Sequence, residues 1–203
     1  MTTGADRPIV VAITGASGAP YAVRLLQALV ERGQRVSLIV SDHGMRLLQT
    51  ETDIASVDAL REHVGAARWD AVVRVYDDRD RGAAPASGSA LSAGMVICPC
   101  SMGTISAVAV GASRSLVERA ADVTLKERRR LVLVPRESPY SAIHLENMLS
   151  LTRAGAIILP ASPGFYHRPR TIDDLVDFVV ARVLDQLGVE QSLVPRWGSE
   201  SDE

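Results

Sequence analysis

The sequence predicts an α/β domain in which helices flank a doubly wound, parallel β-sheet, and two observations lead to this fold class. Short runs rich in Val and Ile alternate along the chain with segments whose apolar residues recur at helical spacing. Several of the short runs are apolar at every position, which is typical of strands covered on both faces of a parallel sheet. Parallel neighbours need a crossover connection, and a helix lying against the sheet supplies it.

The composition favours a single domain over residues 1–203, with its core over about 8–188 and a C-terminal tail over 189–203. A chain of 203 residues that is 47% hydrophobic can form one full core and is short for two. The formal net charge of -2 offers no basic excess for binding nucleic acid. No signal-peptide pattern and no apolar run of membrane-spanning length is found. We therefore expect a soluble, cytoplasmic protein that binds neither nucleic acid nor a membrane.

The first half of the chain is expected to open β-α-β. Residues 9–13 form a β-branched run that ends at the small residues 14–18, and the apolar spacing beyond them predicts a helix that stops near Gly33. Residues 36–40 predict a second buried strand, which ends at Ser41. The same patterns predict two helical segments over 45–50 and 57–63, a short strand over 72–75 and a charged surface loop over 77–82.

The second half continues the alternation of strands and helices. Its last helix has the strongest pattern, because one apolar stripe runs from Ile172 to Leu187 and Gly188 follows as a stop. Thr171 and Asp174 resemble a capping box at its start. The preceding elements are predicted as strands over 95–98, 131–134 and 156–159 and as helices over about 101–110, 116–128 and 141–154.

This order of elements gives a Rossmann/flavodoxin-like sheet, in which ligands bind at the carboxyl ends of the strands. The loops expected to gather at that edge are those at Gly15, Ser41, Ser101, Arg136 and Pro160. The first loop has the composition of a phosphate site, because a helix start presents unpaired N–H groups that small residues leave accessible. A tight turn that binds nothing is the alternative interpretation of this stretch alone.

A nicotinamide-dependent dehydrogenase is one enzyme class with this arrangement, and Asp42 would be its ribose-binding carboxylate. Against it, the full G-x-G-x-x-G is absent and no tyrosine stands four residues before Lys126, the sole lysine. The absence of Gly-Lys-Ser/Thr excludes a P-loop. Asp42 is better interpreted as a solvated or capping residue. Cys98 and Cys100 are interpreted as small core residues, because their spacing fits neither a zinc set nor a redox pair.

Eight short motifs that follow one another along the chain resemble a known family. They are TGASG (14–18), PASGS (85–89), CPCSMGT (98–104), ERAADV (118–123), KERR (126–129), VPRE (134–137), HLENM (144–148) and PGFY (163–166). Together they closely resemble the UbiX-type flavin prenyltransferases, in the same order and from about Val10 to Trp197.

The resemblance implies a metal-independent enzyme that transfers a dimethylallyl group from dimethylallyl phosphate to N5 and C6 of FMN. Members of the family make the prenylated flavin that UbiD-type decarboxylases use and assemble into dodecamers, so a homododecamer is expected. The resemblance implies these flavin contacts: Gly15, Ala16, Ser17, Ser41, Ser101, Met102, Gly103, Thr104 and Arg136. Those it carries over as contacts of dimethylallyl phosphate are Tyr166, Arg182, Arg119, Lys126 and Glu137, with Trp197 as an aromatic neighbour.

The cationic residues of this set suit the chemistry. Cleavage of an allylic C–O bond leaves more negative charge on the phosphate, which fixed cations stabilise without a metal. The cations concerned are Arg119, Lys126, Arg136 and Arg182. Without the resemblance, other interpretations stay open. Lys126 could belong to a solvated, basic helix end, and Arg182 could form a surface ion pair.

The remaining residues have complementary roles under the same resemblance. Glu137 would hand a proton to the departing phosphate or take one from flavin C6. Tyr166 would donate a hydrogen bond to phosphate, and Trp197 would stabilise cationic character in the allyl group. Ser17 would place a hydroxyl near the reacting part of the flavin. The residues expected to take part in catalysis are Ser17, Glu137, Lys126 and Arg119.

The chain departs from the family at one loop, where Arg81 stands in the stretch in which some members carry a tryptophan beside the prenyl site. The aromatic lining on that side is therefore expected to differ. Two functional alternatives stay open. One is a flavin-dependent decarboxylase of the cysteine-decarboxylase group, whose Pro-x-Met-Asn pattern is absent. The other is a non-catalytic FMN-binding partner of a decarboxylase.

Overall fold

One parallel sheet organises the structure, a computed structural model that describes residues 7–195. Its strands are β1 (Ile9–Ile13), β2 (Val36–Val40), β3 (Val73–Asp77), β4 (Gly94–Cys100), β5 (Leu131–Pro135) and β6 (Ile157–Ile158). They pair in the order β3-β2-β1-β4-β5-β6, and every pair is parallel. This confirms the doubly wound α/β sheet expected from the sequence.

Helices cover both faces of the sheet. They are α1 (Ala19–Glu31), α2 (Asp42–Thr52), α3 (Val57–Val64), α4 (Ala66–Val72), α5 (Met102–Ala109), α6 (Leu116–Lys126), α7 (Ala142–Arg153) and α8 (Ile172–Leu187). The core on one face includes buried residues of α1 and α8, whereas the core on the other includes those of α5 and α6. Helices α6 and α8 therefore lie on opposite faces of the sheet.

The side chains of the strands alternate between these two cores, as the period of a β-strand requires. Val11 packs into the first core and its neighbour Ala12 into the second. Cys98 and Cys100 follow the same rule and are buried on opposite faces. Burial raises the pKa of the Cys98 thiol to about 12, so this group stays protonated at neutral pH. The expectation that both cysteines are core residues is confirmed.

The last helix forms as its sequence pattern predicts. Thr171 accepts a hydrogen bond from the Asp174 amide at 3.1 Å, and the Asp174 carboxylate accepts one from the Thr171 amide at 2.9 Å. Gly188 ends α8 in the left-handed conformation, with φ of 73°. The capping box at Thr171 and the glycine at position 188 thus define the two ends of α8.

Three elements show the main differences from the sequence prediction, beyond shifts of a few residues at the ends of the others. Helix α4 was not predicted, because seven residues with Trp69 as their one buried side chain show no apolar stripe. Strand β4 continues through Pro99 to Cys100, and β6 has only two residues. No helix within residues 7–195 is long and apolar enough to cross a membrane.

Candidate functional site

The site lies where the order of the sheet reverses. Strand β1 pairs with β2 on one side and with β4 on the other, so the loops after β1 and β4 leave the sheet in different directions and a crevice opens between them. The five loops expected at this carboxyl edge do gather there. The contacts that join them are Ser41 N to Ile13 O at 3.0 Å, Ser101 N to Thr14 Oγ1 at 2.9 Å, Arg136 Nε to Ser17 O at 3.4 Å and Ala161 N to Pro135 O at 2.9 Å.

The start of α1 is filled by a carboxylate of the chain itself. Glu51, on α2, accepts hydrogen bonds from the amides of Gly18 and Ala19, both at 2.8 Å. Pro20 has no N–H, and the Tyr21 amide donates to Gly18 O at 3.1 Å. The first turn of α1 therefore has no amide left for a phosphate. This corrects the simple anion site expected at that helix start, although the turn before it stays exposed at Gly15.

Close packing with the β2–α2 connection accounts for two glycines near this turn. A Cβ on Gly15 would lie 2.6 Å from the Cβ of His43, and a Cβ on Gly44 would overlap the backbone oxygen of Ile13. Of the turn residues, Ala16 is buried and its amide donates to Thr14 O at 2.9 Å, whereas Ser17 is half-buried. The Ser41 hydroxyl accepts from the Gly44 amide at 3.0 Å as the N-cap of α2.

The start of α5, across the crevice, is open. Ser101 is its N-cap and accepts from the Thr104 amide at 3.2 Å, and the hydroxyls of the two residues lie 3.0 Å apart. The amides of Met102 and Gly103 donate to no group within residues 7–195. A Cβ on Gly103 would meet only the Ser101 hydroxyl, at 3.8 Å. The chain's own packing does not require a glycine there, so the space above it is available to a ligand.

Arg136 and Glu137 follow β5 at the same edge. Arg136 is exposed and donates to Ser17 O, and the Glu137 carboxylate accepts from the Ser138 amide at 3.0 Å. Neither side chain forms an ion pair with another of the residues 7–195. A guanidinium and a carboxyl group without charged partners thus border the crevice.

Arg119 and Lys126 lie on α6, along the flank of the domain. Arg119 pairs with Asp122 at 2.9 Å, and Lys126 pairs with Glu127. A methyl group on Gly88 would overlap the Glu127 carboxylate, so this pair rests against the loop before β4. Helix α6 begins beside the end of β3, where Asp78 bonds its first amides, and leads into the start of β5. Its last residue, Lys126, therefore lies toward the opposite edge of the sheet from Arg136.

Tyr166 and Arg182 lie on the side of α8. Tyr166 is 62% exposed and meets the ring of Phe178 edge-on, with centroids 5.7 Å apart. Arg182 pairs with Asp185 at 3.0 Å and lines a cavity of about 290 Å³ beside β6. This is the surface ion pair weighed from the sequence. Trp197 lies outside the described residues.

A single chain therefore holds the carried-over residues in three places. The flavin contacts gather at the carboxyl edge, Arg119 and Lys126 lie on α6, and Tyr166 and Arg182 lie on the opposite face. One chain does not bring the last four together around one phosphate. Sequence motifs carry no information on which face a helix covers, so this separation was not foreseen.

Two residues at the crevice were missed by the sequence reasoning. Glu51 reaches the start of α1 across 33 residues, and Thr14 bonds to Pro99 and Ser101 across more than 80. Neither carries a local signal, because a lone Glu on an exposed helix and a Thr at a strand end are common. Within residues 7–195, no group of three or more His, Cys, Asp or Glu side chains is arranged to hold a metal ion.

Comparisons with known proteins agree with this geometry. Residues 2–184 match the family model described as Flavoprotein. The chain is 54% identical to the flavin prenyltransferase UbiX of Pseudomonas aeruginosa, over 98% of this chain and 97% of the relative. It superposes on the structure of AnUbiX in complex with FMN and dimethylallyl pyrophosphate with a TM-score of 0.87 and 40% identity, over 96% and 99% of the two chains.

A further solved structure extends the likeness to an assembled protein. It is a dodecameric FMN-dependent UbiX-like decarboxylase from Escherichia coli O157:H7, matched with a TM-score of 0.86 and 43% identity over 95% of this chain and 100% of that one. Full-length matches at this identity confirm the resemblance seen in the eight motifs. The chain belongs to the flavoprotein family and, within it, to the UbiX-type flavin prenyltransferases.

Proposed function

We propose that this protein transfers a dimethylallyl group from dimethylallyl phosphate to N5 and C6 of reduced FMN, without a metal. The observation that carries the proposal is the open start of α5, where two unbonded amides and Gly103 lie at the same sheet edge as the turn 15–17 and Arg136. This is the combination that an anionic, planar cofactor needs. It occurs in a chain 54% identical to a flavin prenyltransferase.

The crevice fits FMN on the chemistry of its donors. Amides of Met102 and Gly103 at a helix start suit a phosphate or an electron-rich ring edge, because the helix dipole adds positive potential there. Arg136 adds a full positive charge, and Ser17 and Thr104 add hydroxyls. When bound and reduced, FMN supplies the nucleophilic atoms that accept the prenyl group.

The donor site is proposed to form between copies of the chain. Arg119 and Lys126 on one face and Tyr166 and Arg182 on the other cannot meet within one protomer, but they can meet across an interface. Helix α7 supports such an assembly, because it exposes Ile143, Leu145 and Leu149 by 67%, 53% and 50%. A homododecamer, the state named for the matched bacterial structure, would cover this face.

Charge stabilisation is the proposed source of catalysis at the donor site. The departing phosphate gains negative charge, and guanidinium and ammonium groups fixed in place stabilise that charge more than they stabilise the intact ester. Glu137 would give a proton to the departing phosphate or take one from flavin C6, and Ser17 would hold a hydroxyl beside the reacting atoms. Trp197 would line the prenyl pocket.

The proposal is tested by mass. Purified protein, reduced FMN and dimethylallyl phosphate, mixed under anaerobic conditions, should give a flavin heavier by one prenyl group. A flavin of unchanged mass, with the protein folded and FMN bound, would overturn the enzymatic proposal and favour a non-catalytic FMN-binding role. Dimethylallyl pyrophosphate in a parallel reaction measures the donor preference.

Two further parts of the proposal concern the protein that receives the product and the cellular location of the enzyme. A UbiD-type decarboxylase is the proposed recipient, which is tested by adding an FMN-free decarboxylase of that type to the finished reaction and measuring its activity. The cytoplasmic location expected from the sequence stays a prediction.

The decarboxylase alternative is tested with a peptide ending in cysteine, from which loss of carbon dioxide is not expected.

A further inference from the structure

Thr14 is a buried polar residue between the two loops of the crevice. It directly follows β1 and is only 3% exposed. Its hydroxyl donates a hydrogen bond to the carbonyl oxygen of Pro99 at 3.0 Å and accepts one from the amide of Ser101 at 2.9 Å. The Thr14 amide also donates to Pro99 O, at 3.2 Å. One side chain thus ties the end of β1 to the segment that leads into α5.

These hydrogen bonds lie just beyond the last regular pairs of the sheet. The ladder between β1 and β4 pairs residues up to Ala12 with Ile97, and the pairing of β4 with β5 becomes irregular between Ile97 and Cys100. Pro99 has no N–H to donate to a neighbouring strand. The Thr14 hydroxyl bonds to this segment directly, because it accepts from the Ser101 amide, two residues beyond the proline, and donates to the carbonyl oxygen of Pro99.

Ser101, which Thr14 holds, sets the start of α5. Its hydroxyl accepts from the Thr104 amide and its carbonyl accepts from the Ile105 amide at 3.0 Å. The direction of the open amides of Met102 and Gly103 therefore depends on where Ser101 is held. On the other side, the carbonyl of Thr14 accepts from the Ala16 amide at 2.9 Å and begins the turn that carries Ser17.

We propose that Thr14 is a positioning residue for FMN, whose hydroxyl fixes the open start of α5 relative to the turn 15–17. The inference rests on the proposed use of this crevice for the flavin. Thr14 itself is buried beneath both loops and acts through Ser101 and the turn. A rigid ligand that contacts both loops loses affinity when their separation is no longer fixed, because it must then pay for ordering them.

The test compares Thr14→Val with Thr14→Ser. Valine keeps the shape and removes both hydrogen bonds, whereas serine keeps the hydroxyl and removes a methyl group. Titration of oxidised FMN should show a Kd about tenfold higher for Thr14→Val and within about twofold of the unaltered protein for Thr14→Ser. In turnover, KM for FMN should rise by the same factor, while KM for dimethylallyl phosphate stays unchanged.

Thr124→Val is the matched control. Thr124 is also a buried threonine, 2% exposed, and its hydroxyl donates to Ala120 O at 2.7 Å within α6, away from the crevice. Its loss should lower stability without changing the Kd for FMN. A merely structural role of Thr14 would reduce the folded fraction and kcat and leave both KM values unchanged. If Thr14→Val does not fold, Thr14→Cys replaces it, because a thiol is a weak hydrogen-bonding group of similar size.

Three results would overturn the inference. They are an unchanged Kd in folded Thr14→Val, an equal loss in Thr14→Ser, and an equal loss in Thr124→Val. A protein that binds FMN but forms no prenyl adduct would refute the proposed function alone, because the affinities for FMN would still decide the role of Thr14.

Discussion

Helices α1 and α5 begin side by side at the same edge of the sheet, after adjacent strands and after turns of similar composition, yet their starts are in opposite states. The start of α1 is occupied by the Glu51 carboxylate, whereas the start of α5 is capped by its own Ser101 and keeps two amides open. The closed start is the one that follows the glycine-rich turn, the motif that stands out in the sequence. A helix start is thus a ligand site only if no carboxylate of the chain has taken its donors.

The glycines at the two starts differ in the same way. Gly15 is required by the chain's own packing against His43, while Gly103 has open space above it. A glycine that the fold does not need, placed in a helix where alanine is better tolerated, is better explained by a ligand. The two classes of glycine are separable by experiment.

The largest effect is expected from Gly103→Ala. The added methyl group would occupy the space above the open amides, so the Kd for FMN should rise on the order of 100-fold. The free energy of unfolding should stay the same or rise slightly, because the methyl group meets no atom of the chain closely. Flavin titration and urea unfolding measure the two quantities. A variant that binds FMN normally would show that the open start is not the flavin site.

Gly15→Ala, in contrast, should lower the free energy of unfolding. Its Cβ would lie 2.6 Å from that of His43, and relieving this overlap should cost about 2 kcal/mol of unfolding free energy. The double variant with His43→Ala, which shortens the opposing side chain but keeps its Cβ, should recover little of the loss. Full recovery would mean that the outer imidazole atoms and not the Cβ set the spacing.

Removing the charge at the closed start tests what Glu51 contributes. Glu51→Gln keeps one oxygen that can accept from Gly18 or Ala19, but it loses the charge assistance of both bonds. The expected loss is about 1 kcal/mol of unfolding free energy, measured by urea denaturation. Glu31→Gln, an exposed glutamate at the other end of α1, is the control and should change stability little. Equal stability of both variants would contradict the capping role.

The smallest effect concerns a third helix start, that of α8. Hydrogen bonds from the amides of Arg170 and Thr171 lower the pKa of the Asp174 carboxyl below its ordinary value of 3.8. A carboxyl with a lowered pKa stabilises the fold above its unfolded pKa, and that stability is lost as the pH falls through the folded value. The thermal stabilities of the protein and of Asp174→Asn should therefore differ at pH 6, and the difference should shrink as the pH falls below 3.8. A constant difference would show that the charge of Asp174 is not involved.

The sequence predicted the fold and the edge of the site well, because strand ends and caps are local signals. The apolar runs at 36–40 and 131–134 and the capping box at Thr171 could be read directly. What could not be predicted depends on distant partners. Glu51 contributes to a helix start 33 residues away, and the distribution of Arg119 and Arg182 over two faces depends on the path of each crossover. The motifs identified which residues matter without showing that one chain keeps them apart.

The placement of α6 and α8 on opposite faces has a consequence for mixtures of inactive variants. In the proposed assembly, each donor site combines α6 of one copy with α8 of a neighbour, so a change on Lys126 and a change on Arg182 damage different halves of it. Two such inactive variants, unfolded together and reassembled as a mixture, should regain part of the activity, because some interfaces receive two unaltered halves. Complementation between subunits would thus distinguish a shared site from one that each chain completes alone.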